Sequence, residues 1–123
     1  MEIIFEKGIP GFEEYKKFEL NEIEENKDLK MIVYKEDSNI GFVSISPFKV
    51  KNNYEINLND EIINELKIEK PEDVLVLNII TLGKTLEDST VNLKAPLIIN
   101  IKNSKGKQLI LQDDKYKIKE PLK

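Results

Sequence analysis

Hydrophobic residues in this chain gather in short runs, most of them alternating with polar residues, and glycine, proline, asparagine and aspartate punctuate the gaps. Successive side chains of an extended strand point to opposite faces, so such alternation marks half-buried β-strands. Residues 2–6 read as the first, closed by the turn Lys7-Gly8-Ile9-Pro10-Gly11. Phe12, Tyr15 and Phe18 recur at a spacing of three, which predicts one helical or 3₁₀ turn seating the rings on the core, with Phe12 plugging one end of it. Phe18, Leu20 and Ile23 carry a second strand and residues 31–34 a third. Residues 40–46 make a fourth, with Phe42, Ser44 and Ser46 on one face and Gly41, Val43 and Ile45 on the other. Between the second and third strands, the acid-rich stretch 21–30 has too little apolar content to be held down by burial and predicts a mobile loop.

Further on, residues 54–58 alternate strictly and predict a fifth strand. Asn59 or Asp60 can then cap a short helix near 60–66, where Ile62, Ile63 and Leu66 fall at helical spacing behind acids in the first turn. Pro71 turns the chain, and the apolar run 74–82 reads as a central strand covered on both faces. The stretch Thr90-Val91-Asn92-Leu93-Lys94-Ala95-Pro96-Leu97-Ile98-Ile99-Asn100 describes a corner. Pro96 lacks an N–H for a ladder and pushes Ala95 towards extended geometry, so a strand starts beside it. Asn92 and Asn100 bracket the corner, and their amides can satisfy backbone groups left unpaired there, which makes Asn92 and Pro96 structural residues. Residues 103–106 signal a hairpin turn that lets 107–112 pair back on 97–102, and 116–118 form a last strand or tail. Eight or nine short strands with one short helix predict an all-β, mainly antiparallel domain, a small barrel or sandwich, occupying 1–123 as one unit.

Composition removes much chemistry. Cysteine and histidine are both absent, and with them disulfides, thiolate nucleophiles, the usual zinc sites and imidazole acid–base catalysis. All 19 basic residues are lysine, so the bidentate fork that arginine offers to phosphate and guanine is missing. The net charge of −4 is uneven: residues 1–93 hold 11 lysines against 20 acids, and 94–123 hold 8 against 3. Folding can mix these charges over the surface, or leave two patches that draw different partners. The N-terminus has no basic region leading into an apolar run, and no apolar segment approaches the ~18 residues of a membrane span. A soluble, cytoplasmic protein is expected.

Candidate sites are correspondingly few. The carboxylate pairs Asp60-Glu61, Glu72-Asp73 and Asp113-Asp114 are adjacent in sequence, where side chains usually point apart, and each serves as a turn former or cap. No calcium loop is present, and Gly8 and Gly11 are not followed by a phosphate-loop lysine. No catalytic, metal or cofactor site is therefore assigned. A single-stranded RNA-binding barrel is conceivable from the C-terminal lysines with Tyr116, but net acidity and the nine aromatics, mostly at core positions, oppose it.

Four stretches together resemble the flagellar assembly factor FliW family: Gly8-Ile9-Pro10-Gly11-Phe12-Glu13, Gly41-Phe42-Val43 through Ser46-Pro47-Phe48, the corner from Thr90 to Asn100, and Gly106-Lys107-Gln108-Leu109-Ile110-Leu111. The similarity spans nearly the whole chain in the family's order. Strand 31–34 departs from it, lacking the Leu-Gln-Ser often carried there. The resemblance implies a non-enzymatic, monomeric regulator of bacterial flagellum biogenesis that binds flagellin in the cytoplasm and also binds the translational repressor CsrA, a basic dimer that blocks flagellin messenger RNA. When flagellin is exported, the freed factor captures CsrA and translation resumes. A flagellin chaperone without CsrA control is the nearest alternative. Gly8, Pro10, Gly11, Phe12, Asn92, Pro96, Asn100 and Gln108 are the structural residues of these motifs. A basic partner turns attention to the acids of 13–28, and Glu13 and Glu14 with Glu72 and Asp73 are the expected partner-binding face, with the two pairs brought together by folding.

Overall fold

The computed structural model describes residues 1–122, which form nine strands: β1 (Glu2–Ile4), β2 (Lys17–Glu22), β3 (Leu29–Tyr34), β4 (Gly41–Ile45), β5 (Val74–Thr81), β6 (Thr90–Val91), β7 (Leu97–Asn100), β8 (Lys105–Gln108) and β9 (Glu120–Pro121). A six-residue helix, α1 (Asp60–Glu65), starts at Asn59, whose side chain accepts from the Ile62 N–H. The strands run in the order β4-β3-β2-β1-β8-β7-β5, and β4 pairs again with β5, so seven of them close a barrel. All of its pairings are antiparallel except β1 with β8, which meet in parallel at Ile4 and Lys105. β6 and β9 extend the sheet beyond β5. Closure leaves few free edges, the usual way for a small antiparallel sheet to avoid association.

Alternation along the strands sorts the apolar residues into an inside and two outer layers. Ile3, Phe5, Phe18, Ile32, Leu77, Leu97 and Ile99 fill the barrel, with Phe5 edge-on to Phe18 at 5.7 Å between centroids. On one outer face, α1 sets Ile62 and Leu66 against Ile98, Val74 and Val76. On another, Tyr54 and Tyr116 pack with Leu29, Ile45, Ile80, Val91 and Leu93.

The corner after β6 holds these layers in register. Val91 stands opposite Ile80 and Leu97 opposite Leu77, so the five residues 92–96 face only Asn78 and Ile79 of β5. Each of the five carbonyls nevertheless accepts a hydrogen bond: Asn92 from Asn78 Nδ2 at 2.7 Å, Leu93 from the Tyr54 hydroxyl at 2.6 Å, Lys94 from the Leu111 N–H, Ala95 from Gln108 Nε2 at 3.0 Å and Pro96 from the Leu109 N–H. Pro96 stands immediately before β7, where its missing N–H costs no ladder bond. Asn92 Oδ1 accepts from its own neighbour, the Lys94 N–H. Asn100, 1% exposed, ends β7 by donating to the Leu66 and Lys67 carbonyls behind α1 and accepting from the Lys102 N–H.

Several local expectations are corrected. Residues 54–58 pair with no strand, because the closed ladder already occupies the edges of β4, β5 and β7. The turn expected over 12–18 is confined to 12–15, where the Tyr15 N–H donates to the Phe12 carbonyl: Gly11, at φ +88°, lies within a tight reversal bridged from Ile9 to Phe12, and Phe18 belongs to β2, opposite Ile3 and Tyr34. The loop expected at 21–30 shrinks to residues 23–28, since β2 continues to Glu22 and β3 begins at the buried Leu29. The last hairpin turns at 101–104, with Ser104 at φ +65°, so Lys105 and Gly106 are already paired with β7, while Leu109 and Leu111 lie beyond that ladder and donate to Pro96 and Lys94 of the corner. The final strand lies at Glu120–Pro121, not 116–118.

Asn100 is buried and Asn92 half-buried, so their truncations separate. Asn100→Ala should lower stability by about 1–3 kcal/mol by orphaning buried groups, and Asn92→Ala by about 0.5–1.5 kcal/mol. Urea midpoints of the two variants check the order.

Candidate partner-binding surface

The connection between β1 and β2 is shaped by its glycines. Gly8, at φ +71°, sits so close to the chain ahead that an added Cβ would lie 2.4 Å from the Glu13 Cα. Gly11 is also left-handed but faces open space, and its N–H donates to Glu13 Oε2 at 3.1 Å. That hydrogen bond holds the Glu13 carboxyl below its ordinary range. Phe12 follows on the barrel's end, meeting Phe42 edge-on at 5.2 Å and remaining 40% exposed. It rests on the aromatic cluster formed by Tyr15, Phe18, Tyr34 and Phe42 and does not enter the barrel as a plug.

Strand direction decides where the acids lie. β1 and β5 run the same way around the barrel, so Glu13 and Glu14, after β1, are at the opposite end from Glu72 and Asp73, which precede β5. The two pairs are not brought together, and Asp73 is only 7% exposed. Instead, the β2–β3 connection carrying Glu24, Glu25 and Asp28 shares an end with Glu72. Sequence neighbours 13–28 are split between the two ends because β2 runs the length of the barrel between them.

Ion pairs neutralise much of the remaining charge. Lys35 reaches Glu2 at 2.7 Å, a hydrogen bond that lowers the Glu2 pKa and raises that of Lys35. Tyr34 donates to Glu36 at 2.6 Å, which raises the Tyr34 pKa. The lysine-rich C-terminal portion is tied back to the acidic one by Lys107–Glu65 at 2.8 Å and Lys105–Glu6 at 3.7 Å, and the Lys107 contact lowers the Glu65 pKa. The charge asymmetry of the sequence is thus partly mixed by folding.

Three features of the structure carry no strong sequence signal. Asn78, fully buried, is the lone polar residue within the run 74–80, and that isolation was its only hint. Tyr54 and Tyr116 stack at 4.5 Å from distant parts of the chain, and burial pushes the Tyr54 hydroxyl up to about 12. Beside Tyr54 lies a groove of about 560 Å³ floored by Val74, Val76 and Ile98. Among the described residues no group of three or more acidic, histidine or cysteine side chains converges to hold a metal, and no helix is long and apolar enough to cross a membrane.

Comparison with known proteins gives a consistent result. Residues 1–122 match the family described as FliW protein. The chain is 50% identical over 122 residues to a flagellar assembly factor FliW of Clostridioides difficile (strain 630), covering 99% of this chain and 94% of that protein. It is 51% identical over 120 residues to the Clostridium novyi (strain NT) protein of the same name, covering 98% and 84%. A crystal structure of the flagellar assembly factor FliW superposes with a TM-score of 0.90 at 38% identity, over 99% of this chain and 85% of that one.

The two glycines of the β1–β2 connection should respond differently to a methyl group. Gly11→Ala carries only the left-handed backbone cost, about 1–2 kcal/mol. Gly8→Ala adds overlap with the Glu13 backbone and should exceed about 3 kcal/mol. Thermal denaturation of both variants checks the difference.

Proposed function

The chain belongs to the FliW protein family of flagellar assembly factors, and we propose that it acts there without catalysis, as a cytoplasmic protein that binds flagellin and the translational repressor CsrA. Free of flagellin, it captures CsrA and so relieves repression of flagellin translation. The observation that carries this reading is that the exposed carboxylates with no lysine within ion-pair distance among the described residues include Glu24, Glu25 and Glu72 at one end of the barrel and Glu13 and Glu14 at the other. Against a basic repressor such charges accelerate encounter and disfavour wrong partners more than they deepen the final complex. Negative potential brought beside the repressor's RNA surface would also repel RNA without occupying its site.

Association kinetics with purified CsrA at rising salt test the reading. The on-rate should fall at least about tenfold from low to high salt, as steered encounters do. Two charge-removed proteins locate the face: Glu13→Gln with Glu14→Gln, and Glu24→Gln with Glu25→Gln and Glu72→Gln. One of them should reproduce most of the salt effect. An on-rate indifferent to salt and to both sets contradicts capture by an acidic surface.

A further inference from the structure

Residues 54–58 have the sequence of a strand and the burial pattern of one, yet have no strand partner. Tyr54, Ile56 and Leu58 are buried or half-buried, and Glu55 and Asn57 between them are exposed. The Tyr54 N–H donates to the Lys51 carbonyl and the Glu55 N–H to the Tyr116 hydroxyl. Beyond that point no described residue hydrogen-bonds the backbone of Ile56, Asn57 or Leu58. Backbone groups alternate between the two edges of an extended segment, so with the Glu55 N–H turned to Tyr116 the groups of Ile56 and Leu58 face the other edge without a partner in the protein, a template for another strand.

The ground beside this edge is apolar. The 560 Å³ groove between it and the outer faces of β5 and β7 is floored by Val74, Val76 and Ile98, and lies within the range of about 300–1,000 Å³ common for binding clefts. Phe48 stands at the groove beside Tyr54, the two rings edge-on at 5.8 Å. The Tyr54 hydroxyl is spent on the Leu93 carbonyl, and the polar side chains that line the groove, Glu55 and Asn57, are exposed at its edge while its floor is apolar. One carboxylate, Glu55, lines the groove, exposed and with no lysine within ion-pair distance among the described residues, and Glu72 follows the lining residue Pro71 in the chain, with Lys70 before it, so the charge there is negative on balance. A second copy of this chain, itself at net charge −4, would set like charge against it.

We propose that this groove is a strand-addition site for an extended segment of another protein, in which alternate apolar side chains enter the groove, the backbone pairs with residues 56–58, and lysine or arginine flanks the segment. Main-chain pairing supplies the binding and the alternate pockets the selectivity, as in other strand-addition complexes. The inference does not depend on the partners proposed above: its site rests on the edge and groove, and it shares only Glu72 with the acidic set named there.

A capped peptide Lys-Lys-Val-Thr-Val-Thr-Val-Lys-Lys, titrated into the full isotope-labelled chain and followed by NMR, tests it. The expected result is saturable movement of the amide signals of Ile56, Asn57 and Leu58 together with Val74 and Val76. The same peptide N-methylated at alternate residues, which removes backbone donors without touching the protein, should bind at least tenfold more weakly, and a version with glutamate flanks should weaken similarly. Absence of saturable shifts up to millimolar peptide, shifts centred elsewhere, or equal binding by the N-methylated peptide would overturn the strand-addition site. Equal binding by the glutamate-flanked peptide would overturn the basic character assigned to its occupant.

Discussion

β5 changes partner halfway along its length, and the rest of the barrel depends on that exchange being held in place. Its first four residues pair with β7, its last two with β6, and Asn78 to Ile80 carry β4 on the other edge to close the barrel. Val91 and Leu97, six residues apart, would share a face in a continuous strand. Here Val91 belongs to the outer layer with Tyr54 and Leu97 to the barrel interior, so the corner at 92–96 turns the chain over. Such a reversal would strand polar backbone in an apolar setting were it not met from several sides. Asn78 from β5, Gln108 from β8 and Tyr54 from the outer layer each donate to one of its carbonyls. The corner therefore knits the interior, the tyrosine layer and the C-terminal segment into one hydrogen-bonded unit.

Much of this was legible in the residues, and the parts that were not share a cause. Periodicity located eight strand positions to within a few residues, and the Asn59 cap with Ile62 and Leu66 located α1. Pro96 announced the start of β7 because its missing N–H restricts where a ladder can run. Residues 54–58 show the limit: alternation reports that one face is buried, and it does not report whether a neighbouring strand has an edge to spare. The same holds for Phe18, whose spacing from Phe12 and Tyr15 suggested a helical turn until pairing with Ile3 and Tyr34 fixed it as extended. Asn78 and the Tyr54–Tyr116 pair depend on segments far apart in the chain, so no local pattern could find their partners.

The candidate binding face was legible only as chemistry. Acids outnumber lysines over residues 1–93, which sets the sign of the charge there. It could not say which acids meet. β2 carries the chain from Glu13 and Glu14 at one end to Glu24 and Glu25 at the other, so topology rather than proximity in sequence sets the groups that act together. Family membership supplies the flagellar context, and the barrel supplies a rigid frame whose two ends and outer groove present distinct chemistry.

Native-state hydrogen exchange at the corner shows whether closure of the barrel depends on it. The Asn92 N–H bonds the Ile79 carbonyl, the Leu93 N–H the Lys117 carbonyl and the Lys94 N–H the Asn92 side chain. If the corner is the unit on which closure depends, these amides exchange only through global unfolding, with the same free energy and denaturant dependence as the β5 and β7 amides. Exchange of residues 92–94 through a smaller, local opening while β5 and β7 stay protected would mean that the barrel stays closed without the corner.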